Sequence, residues 1–400
     1  MTGPAPAVVG IGAVSAAGLG ADALWDAVAC GTSTARRIDR FDASGYPTDR
    51  ASEIGEDLLG KLDAEVPGHP SLAARYLAAA AIEALGHAGV DPARPGGRVG
   101  LFVGTVMGVR PVLDRGIRPG RLVTTSTGWG RPAGLLDVLH EVVDVTGPVV
   151  LPAPGCSAGN TALALGAAAI AAGEVDLAVC GGTEELSHEV FALFTSLRSL
   201  APDVARPFDA DRCGTMLGEG AAVVVLEHPG RAAARGVRPM ASLAGTAWSA
   251  EAHHMTIPRP DGAALVASAR ECLRRARLTP DQVGWVCAHG TGTPASDGIE
   301  AGAIAAALPG TRRPVVSSVK GVLGHAAGAA AALEAVVAVR ALQHQFVPGN
   351  ATLRRAAPDC AGVDLVPAAG RRARIDAVLS PALGFGGGVC TVLFARSAGR

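Results

Sequence analysis

The sequence has few charges and few aromatic side chains for its length. Charged residues occupy 18% of the 400 positions and aromatic residues 4%, whereas 49% are hydrophobic. A chain with so few charges and so many apolar residues is not expected to be disordered. Its core must be built mainly from alanine, valine and leucine, and the 53 glycines allow close packing. At this length the chain can form two or three domains or one large α/β unit.

An excess of either charge sign is also missing. The formal net charge of −1 provides no broad basic surface, so we predict a metabolic protein without a nucleic-acid partner. No basic segment followed by an apolar core opens the sequence. Glu174 and Glu334 interrupt the long alanine-rich stretches before they reach the roughly 20 residues that span a bilayer. These features predict a cytoplasmic protein without membrane association.

Cysteine pairs with metal-binding spacing are absent as well. None of the 8 cysteines belongs to a C-x-x-C motif, so no metal site is predicted. Cys180 and Cys287 lie in apolar runs, which is typical of buried free thiols in a reducing compartment.

Short apolar segments alternate with helical segments along the whole chain. Strands are predicted at 8–12, 99–104, 149–151, 176–180, 222–226, 283–288, 315–319 and 377–379, and helices at 24–29, 73–88 and 156–172. This alternation predicts an α/β fold with mostly parallel, buried strands. Segments 155–159 and 324–328 each open an alanine-rich helix, which is compatible with an internal duplication.

Cys156 is the candidate nucleophile. It follows Pro-Ala-Pro-Gly and stands at the start of a predicted helix. Free backbone N–H groups and the helix dipole favour a thiolate at such a position, so we predict a lowered thiol pKa. A buried structural cysteine is the alternative interpretation of the same pattern.

Two histidines are candidate active-site residues. His289 follows the apolar segment 283–288 and precedes Gly-Thr-Gly-Thr, so it is expected to face a cleft. A histidine whose hydrogen bonds are satisfied within a turn is the alternative interpretation. Glu300 follows in the next segment and could orient His289. His325 opens a predicted helix, where a neutral imidazole is favoured and can donate an N–H to an oxyanion. Lys320 is one of only two lysines, although composition alone could explain its position.

Together these motifs resemble those of the decarboxylating β-ketoacyl synthases, which belong to the thiolase superfamily. The resemblance extends over nearly the whole chain, in the family's motif order. The matching segments are 8–12 with 24–25, 155–159, 206–209 with 218–221, 289–300, 320–330 and 384–387. It implies the five-layered αβαβα thiolase fold, an α/β architecture built from two similar halves, which we assign to residues 1–240 and 241–400.

The resemblance also implies catalytic roles. Cys156 would carry an acyl thioester, and its backbone N–H and that of Phe385 would form the oxyanion hole. His289 and His325 would hydrogen-bond the enolate oxygen that forms when a malonyl thioester loses CO2. The implied supporting residues are Lys320, which would set the charge and hydrogen bonding around His325, and Glu300, which would support the polar network.

Substrate-binding roles are implied in the same way. The residues that would hold the phosphopantetheine arm of a carrier-bound substrate are Thr291, Thr293 and Thr256. Phe385 would gate the acyl pocket, and Met107 and Trp129 would limit acyl length. The implied partners are an acyl carrier protein and a second subunit, either a copy of this chain or a ketosynthase-like chain-length factor. No resident cofactor is implied, because the phosphopantetheine belongs to the carrier.

Several positions depart from the family's pattern. Val389 stands where Asn is usual, Gly388 where Thr is common, and Thr215 where Phe is usual. Ser296 stands where Gly normally precedes Asp297. These departures leave the Cys-His-His set intact but favour a type II polyketide or specialised fatty-acid pathway over housekeeping synthesis. An acyltransferase that does not decarboxylate and a subunit resembling a chain-length factor are the alternatives.

Overall fold

The computed structural model describes residues 3–66, 68–112, 132–310 and 312–397. The strands are β1 (Ala7–Ser15), β2 (Gly18–Leu19), β3 (Arg36–Arg37), β4 (Arg50–Ala51), β5 (Val99–Gly104), β6 (Val149–Val150), β7 (Leu177–Glu184), β8 (Gly220–Glu227), β9 (Ala241–Ala250), β10 (Val283–Cys287), β11 (Val315–Ser317), β12 (Phe346–Val347), β13 (Asp364–Leu365), β14 (Arg371–Arg372), β15 (Ala377–Leu383) and β16 (Gly388–Ala395). The α-helices are α1 (Ala21–Cys30), α2 (Glu56–Glu65), α3 (Leu72–His87), α4 (Asp137–Val142), α5 (Ala158–Ala171), α6 (His188–Ser196), α7 (Pro229–Ala234), α8 (Ala263–Ala276), α9 (Asp297–Ala307), α10 (Lys320–Leu323) and α11 (Ala327–His344).

The long strands form one mixed sheet with the order β13-β11-β10-β15-β16-β9-β1-β8-β7-β5-β6. Outward from the central β1–β9 pair, each side has two antiparallel pairings followed by parallel ones. The expectation of mostly parallel strands is therefore wrong for the middle of the sheet, where short connections such as the one between β15 and β16 permit antiparallel hairpins. The order of antiparallel and parallel pairings is the same on the two sides of the sheet. The boundary between the two predicted halves, at residue 240, stays a prediction.

Five layers follow from how the helices cover this sheet. Helices α5 and α11 pack against each other and against the inner faces of both sides. Helix α3 covers the outer face on the β8 side, and α8 with α9 covers the outer face on the β9 side. The predicted αβαβα thiolase fold is confirmed.

Alternating side chains along the strands create this layering. On β8, Ala222, Val224 and Leu226 belong to the central core, whereas the intervening residues pack with α3 in the outer core. Strands that are buried on both faces in this way read as continuous apolar runs, which is why the sequence predicts them readily. Among the described helices, none is both long and apolar enough to cross a membrane.

The candidate site lies where the two central helices, α5 and α11, begin. Gly159 lets the helices approach closely, because a Cβ there would lie only 2.7 Å from the backbone nitrogen of Ala332. Cys156 lies in a 3₁₀ turn directly before α5, and His325 lies two residues before α11. The two residues are 169 positions apart and occupy corresponding places in the repeated arrangement.

Candidate active site

A cleft of about 360 Å³ opens where the two central helices begin. The sequence-predicted residues that line it are Cys156, His289, His325, Glu300, Phe385, Thr256, Thr291 and Thr293. Cys156 and His325, which are 169 positions apart in the sequence, are brought to one place by the pairing of the two central helices. Within the described parts of the chain, no group of three or more His, Cys, Asp or Glu is placed to hold a metal ion.

The Cys156 thiol is buried and has defined neighbours. Its Sγ lies 3.1 Å from Nε2 of His325. The backbone N–H groups of Cys156 and Phe385 both hydrogen-bond the sulfur. Gly384 makes this possible, because a Cβ there would lie 2.4 Å from the carbonyl oxygen of Pro154. Two N–H donors therefore converge beside the nucleophile, as an oxyanion hole requires.

The predicted lowering of the Cys156 pKa is wrong. Burial raises the pKa of this thiol to about 11, and the nearby Glu184 carboxylate acts in the same direction. Lys320 and the two backbone N–H groups lower it, but the cost of desolvating a thiolate is larger. The sequence shows the helix start but not the depth of burial. The thiol is consequently protonated at neutral pH.

Alkylation of Cys156 by iodoacetamide is expected to report this raised pKa. Only the thiolate reacts, so the rate should rise by about tenfold per pH unit from about pH 7 to about pH 10 without a plateau. Intact mass after timed quenching measures the rate, with Cys156→Ala as the blank for the other thiols. A rate that levels off near neutral pH would show a stable thiolate–imidazolium pair and contradict the account.

The two active-site histidines are neutral at physiological pH. Their rings meet edge to face, with centroids 5.2 Å apart. Burial lowers the pKa of both imidazoles well below the usual value, and the ammonium of Lys320 lowers both further. The predicted neutral form of His325 is confirmed, although burial rather than the helix dipole is the main cause.

Lys320 determines which ring nitrogen of His289 carries the proton, and it does not do so for His325. Its Nζ lies 3.4 Å from Nδ1 of His289. An ammonium group can only donate, so Nδ1 accepts and the ring proton resides on Nε2. The expectation that Lys320 sets the hydrogen bonding of His325 is wrong on this point. Nδ1 of His325 has no hydrogen-bond partner among the described residues, so its tautomer can change.

Glu334 is a component of the site that the sequence analysis missed. Its carboxylate forms an ion pair with Lys320, and both side chains are 1% exposed. Burial raises the pKa of Glu334 to about 7, although Lys320 opposes the shift. The available signal was an acidic residue within the otherwise apolar run 327–339 of α11, because a fully buried carboxylate normally has a partner.

Replacing Glu334 by glutamine should destabilise the protein strongly. The substitution leaves a buried ammonium without its counter-charge, which typically costs about 3 kcal/mol or more. The free energy of unfolding in urea measures the effect. Glu174→Gln is the matched control, because that glutamate is exposed just after α5. A Glu334→Gln protein within about 1 kcal/mol of the wild type would contradict this role.

Glu300 holds the backbone of the first histidine loop. Its carboxylate accepts the N–H groups of His289 and Gly290, both at 2.7 Å. Burial raises the pKa of Glu300 to about 8. Asp297 accepts the N–H of Phe208 and so ties this loop to another segment of the chain. Glu300 is thus a positioning residue that acts through the backbone of His289.

The predicted pantetheine-binding threonines lie along the cleft wall. Oγ1 of Thr291 lies 3.1 Å from Oγ1 of Thr293 and 2.9 Å from Oγ of Ser296. Ser296, which departs from the family's pattern, therefore contributes a hydroxyl to this cluster. Thr256 lines the same cleft. The three predicted residues are brought together, while their role stays a prediction.

Of the described residues that are predicted to gate or line the acyl pocket, the structure places only Phe385 at the cleft. Phe385 is 40% exposed, and its ring stacks on Phe194 with centroids 5.6 Å apart. Met107 does not line the cleft but packs against the apolar cluster that contains Phe194. Trp129 lies outside the described residues. The proposed limits on acyl length therefore stay predictions.

Comparisons with known proteins agree with this geometry. The family profile "Beta-ketoacyl synthase, N-terminal domain" matches residues 6–232, and "Beta-ketoacyl synthase, C-terminal domain" matches residues 240–354. The tetracenomycin polyketide synthase ketoacyl synthase alpha subunit of Streptomyces glaucescens is 32% identical, with 97% of this chain and 96% of that protein covered. The 3-oxoacyl-[acyl-carrier-protein] synthase 2 of Coxiella burnetii is 31% identical, with 97% and 98% covered.

A solved structure shows the same similarity in three dimensions. The ishigamide ketosynthase/chain length factor is 32% identical, with a TM-score of 0.90 and coverage of 98% of this chain and 99% of that chain. The profile matches extend over most of the sequence, and the relatives align along nearly their full length. This chain belongs to the β-ketoacyl synthase family of condensing enzymes.

Proposed function

We propose that this chain is a polyketide-type ketosynthase that condenses an acyl group on Cys156 with a malonyl group on a carrier protein. The observation that carries the proposal is the contact of 3.1 Å between the Cys156 thiol and a neutral His325, in a cleft that also holds His289. The similarity to a polyketide synthase alpha subunit supports the polyketide pathway over housekeeping synthesis.

Acylation of Cys156 is the first half of the proposed reaction. His325 accepts the thiol proton through Nε2 while Sγ attacks the carbonyl carbon of an acyl thioester. The N–H groups of Cys156 and Phe385 stabilise the resulting oxyanion. The carrier thiolate then leaves, takes the proton from His325, and an acyl thioester remains on Cys156. A neutral base is required here because the thiol is protonated in the resting protein.

Decarboxylation and condensation form the second half. Nε2–H of His289 and an N–H of His325 hydrogen-bond the malonyl thioester oxygen. The bond between C2 and the carboxylate breaks, its electron pair forms the enolate, and CO2 leaves. C2 then attacks the carbonyl carbon of the acyl-Cys156, and the cysteine sulfur leaves as a thiolate. This thiolate takes up one proton from solvent, because the negative charge of the malonyl carboxylate does not leave with CO2. The product is a β-ketoacyl group on the carrier.

Two kinds of partner are part of the proposal. An acyl carrier protein would deliver both substrates on its phosphopantetheine arm, and the name of the Coxiella relative includes an acyl carrier protein. Met255 and Ile257, which line the cleft, are exposed apolar residues beside which such an arm could enter. The second subunit would be either another copy of this chain or a chain-length factor, as in the ishigamide structure.

A second candidate function is acyl transfer to an alcohol or amine without decarboxylation. Thr215 and Val389, two departures from the family's pattern, both line the cleft and alter its walls. The two neutral histidines favour the condensing reaction, because a neutral imidazole can donate a hydrogen bond to the enolate oxygen without protonating the enolate.

Intact-mass measurement with a panel of acyl-carrier thioesters tests the proposal. We expect an acyl adduct on the wild-type chain, followed by loss of the adduct and release of a β-ketoacyl product when malonyl-carrier is added. Acyl transfer to an added alcohol or amine without CO2 release would support the second candidate. No adduct with any thioester would contradict both and indicate a subunit resembling a chain-length factor.

A further inference from the structure

One hydroxyl in the active-site cleft has no hydrogen-bond partner. Thr215 is 1% exposed and lines the cleft, yet its Oγ1 bonds to nothing in the described part of the chain. The other hydroxyl side chains that line the cleft each have a partner, and they are Ser199, Thr256, Thr291, Thr293 and Ser296. Because an unpaired buried hydroxyl is unfavourable, Thr215 is a candidate for contact with a ligand.

Backbone contacts hold the segment that contains Thr215 in place. Its N–H donates to the carbonyl of Ser199 and its own carbonyl accepts the N–H of Ala201, both at 2.7 Å. A Cβ added to Gly214 would lie 2.6 Å from the backbone nitrogen of Ala201. The segment is therefore held tightly, and the hydroxyl keeps its place at the cleft.

This segment lies between the loops of the two active-site histidines. The N–H of Gly214 donates to the carbonyl of Gly292, in the loop that follows His289, at 3.1 Å. The N–H of His325 donates to the carbonyl of Met216 at 2.6 Å. Thr215 stands between these two connections. Its hydroxyl consequently belongs to the part of the cleft where a malonyl group would be polarised.

The chemistry of a malonyl thioester indicates which of its groups the hydroxyl would bind. The histidine donors take the thioester oxygen, and the hydroxyl cluster of Thr291 and Thr293 lies along the proposed path of the pantetheine arm. The carboxylate then still needs a donor. Glu251 also lines the cleft with an unpaired, buried Oε1, but a carboxylate oxygen offers an anion no attraction.

We propose that the Thr215 hydroxyl donates a hydrogen bond to the malonyl carboxylate and so selects a carboxylated thioester as the condensing partner. The proposal rests on the function proposed above and assigns a substrate-binding residue to it. The hydrogen bond is made to a group that leaves as CO2, so it stabilises bound substrate more than the transition state. Its loss should raise KM for malonyl thioester without lowering kcat.

Thr215→Val tests the proposal, because valine keeps the shape of threonine and lacks the hydroxyl. Thr215→Ala is a second variant without a hydroxyl, and Thr215→Ser restores the donor. With malonyl-pantetheine as the probe, we expect KM for CO2 release to rise roughly tenfold in the valine and alanine variants, with kcat unchanged or higher, whereas the serine variant stays near the wild type. The malonyl-pantetheine concentration that half-protects Cys156 from alkylation by iodoacetamide should rise by the same factor as KM.

Pantetheine itself is a ligand control, since it keeps the arm but lacks the malonyl group with its carboxylate. Its half-protecting concentration should be the same in the wild type and in Thr215→Val. A KM and half-protecting concentration for malonyl-pantetheine within about twofold of the wild type in Thr215→Val would overturn the inference. An equal loss of pantetheine protection would overturn it too. Wild-type protein that is protected by malonyl-pantetheine but releases no CO2 would contradict the proposed function instead, and the protection shift would still decide the role of Thr215.

Discussion

Replacing Cys156 by alanine is expected to abolish the acyl adduct and to reduce condensation below detection. The thiol is the only nucleophile in the described structure that lies beside both the converging backbone N–H groups and His325. Without it the covalent intermediate cannot form, and the enolate has no acyl thioester to attack. Intact mass after incubation with an acyl-carrier thioester measures the adduct.

Cys213→Ala is the control for this experiment. Cys213 is an exposed free thiol near the cleft segment that contains Thr215, so it is the obvious alternative site of adventitious acylation. Its removal should leave the adduct unchanged. An adduct that persists in Cys156→Ala, or disappears in Cys213→Ala, would show that the nucleophile is wrongly assigned.

The two histidines should differ when each is replaced by alanine. Either substitution is expected to slow condensation by about 100-fold or more, as the loss of an oxyanion donor does. His289 has its proton fixed on Nε2 by Lys320, whereas the imidazole that hydrogen-bonds the sulfur is that of His325, so His289→Ala should acylate almost normally. His325 faces the thiol at 3.1 Å, so His325→Ala should slow acylation as well.

Rates of acylation and of CO2 release from a malonyl thioester separate these effects. His140→Ala is the control, because this histidine is exposed on α4. CO2 release that is unchanged in both active-site variants would remove the histidines from decarboxylation. Equal acylation rates in the two variants would remove His325 from the role of base.

Most of the strands that the sequence predicts have apolar runs that are buried on both faces, although Val149 of β6 is exposed. Strands β9 and β16 lie at the centre of the sheet but were not predicted. Ala241–Ala250 is rich in Ala, Ser and Gly, which have little β-propensity, and Gly388–Ala395 directly follows a glycine loop. Strand β9 is a strand because it pairs with its neighbours, which is a property of the assembled sheet. Strand β16 has the apolar, buried run expected of a strand, and the adjoining glycine loop obscures it in the sequence.

The candidate site shows the same division between local and tertiary information. The motifs around Cys156, His289 and His325 identify the reacting groups, since each motif is contiguous in sequence. The raised pKa of Cys156, the contact of Lys320 with His289, and the partnership with Glu334 depend on burial and on packing of distant segments. Local helix-start reasoning gave the wrong direction for the thiol because desolvation outweighs the dipole.

A single-turnover reaction tests the condensation most directly. The wild-type chain is first acylated on Cys156, freed of excess thioester, and then mixed with malonyl-carrier in the absence of any other acyl donor. We predict that the adduct disappears at the same rate at which CO2 and the β-ketoacyl-carrier appear, in equal amounts. An adduct that is lost without CO2 and without the β-ketoacyl product would contradict the account.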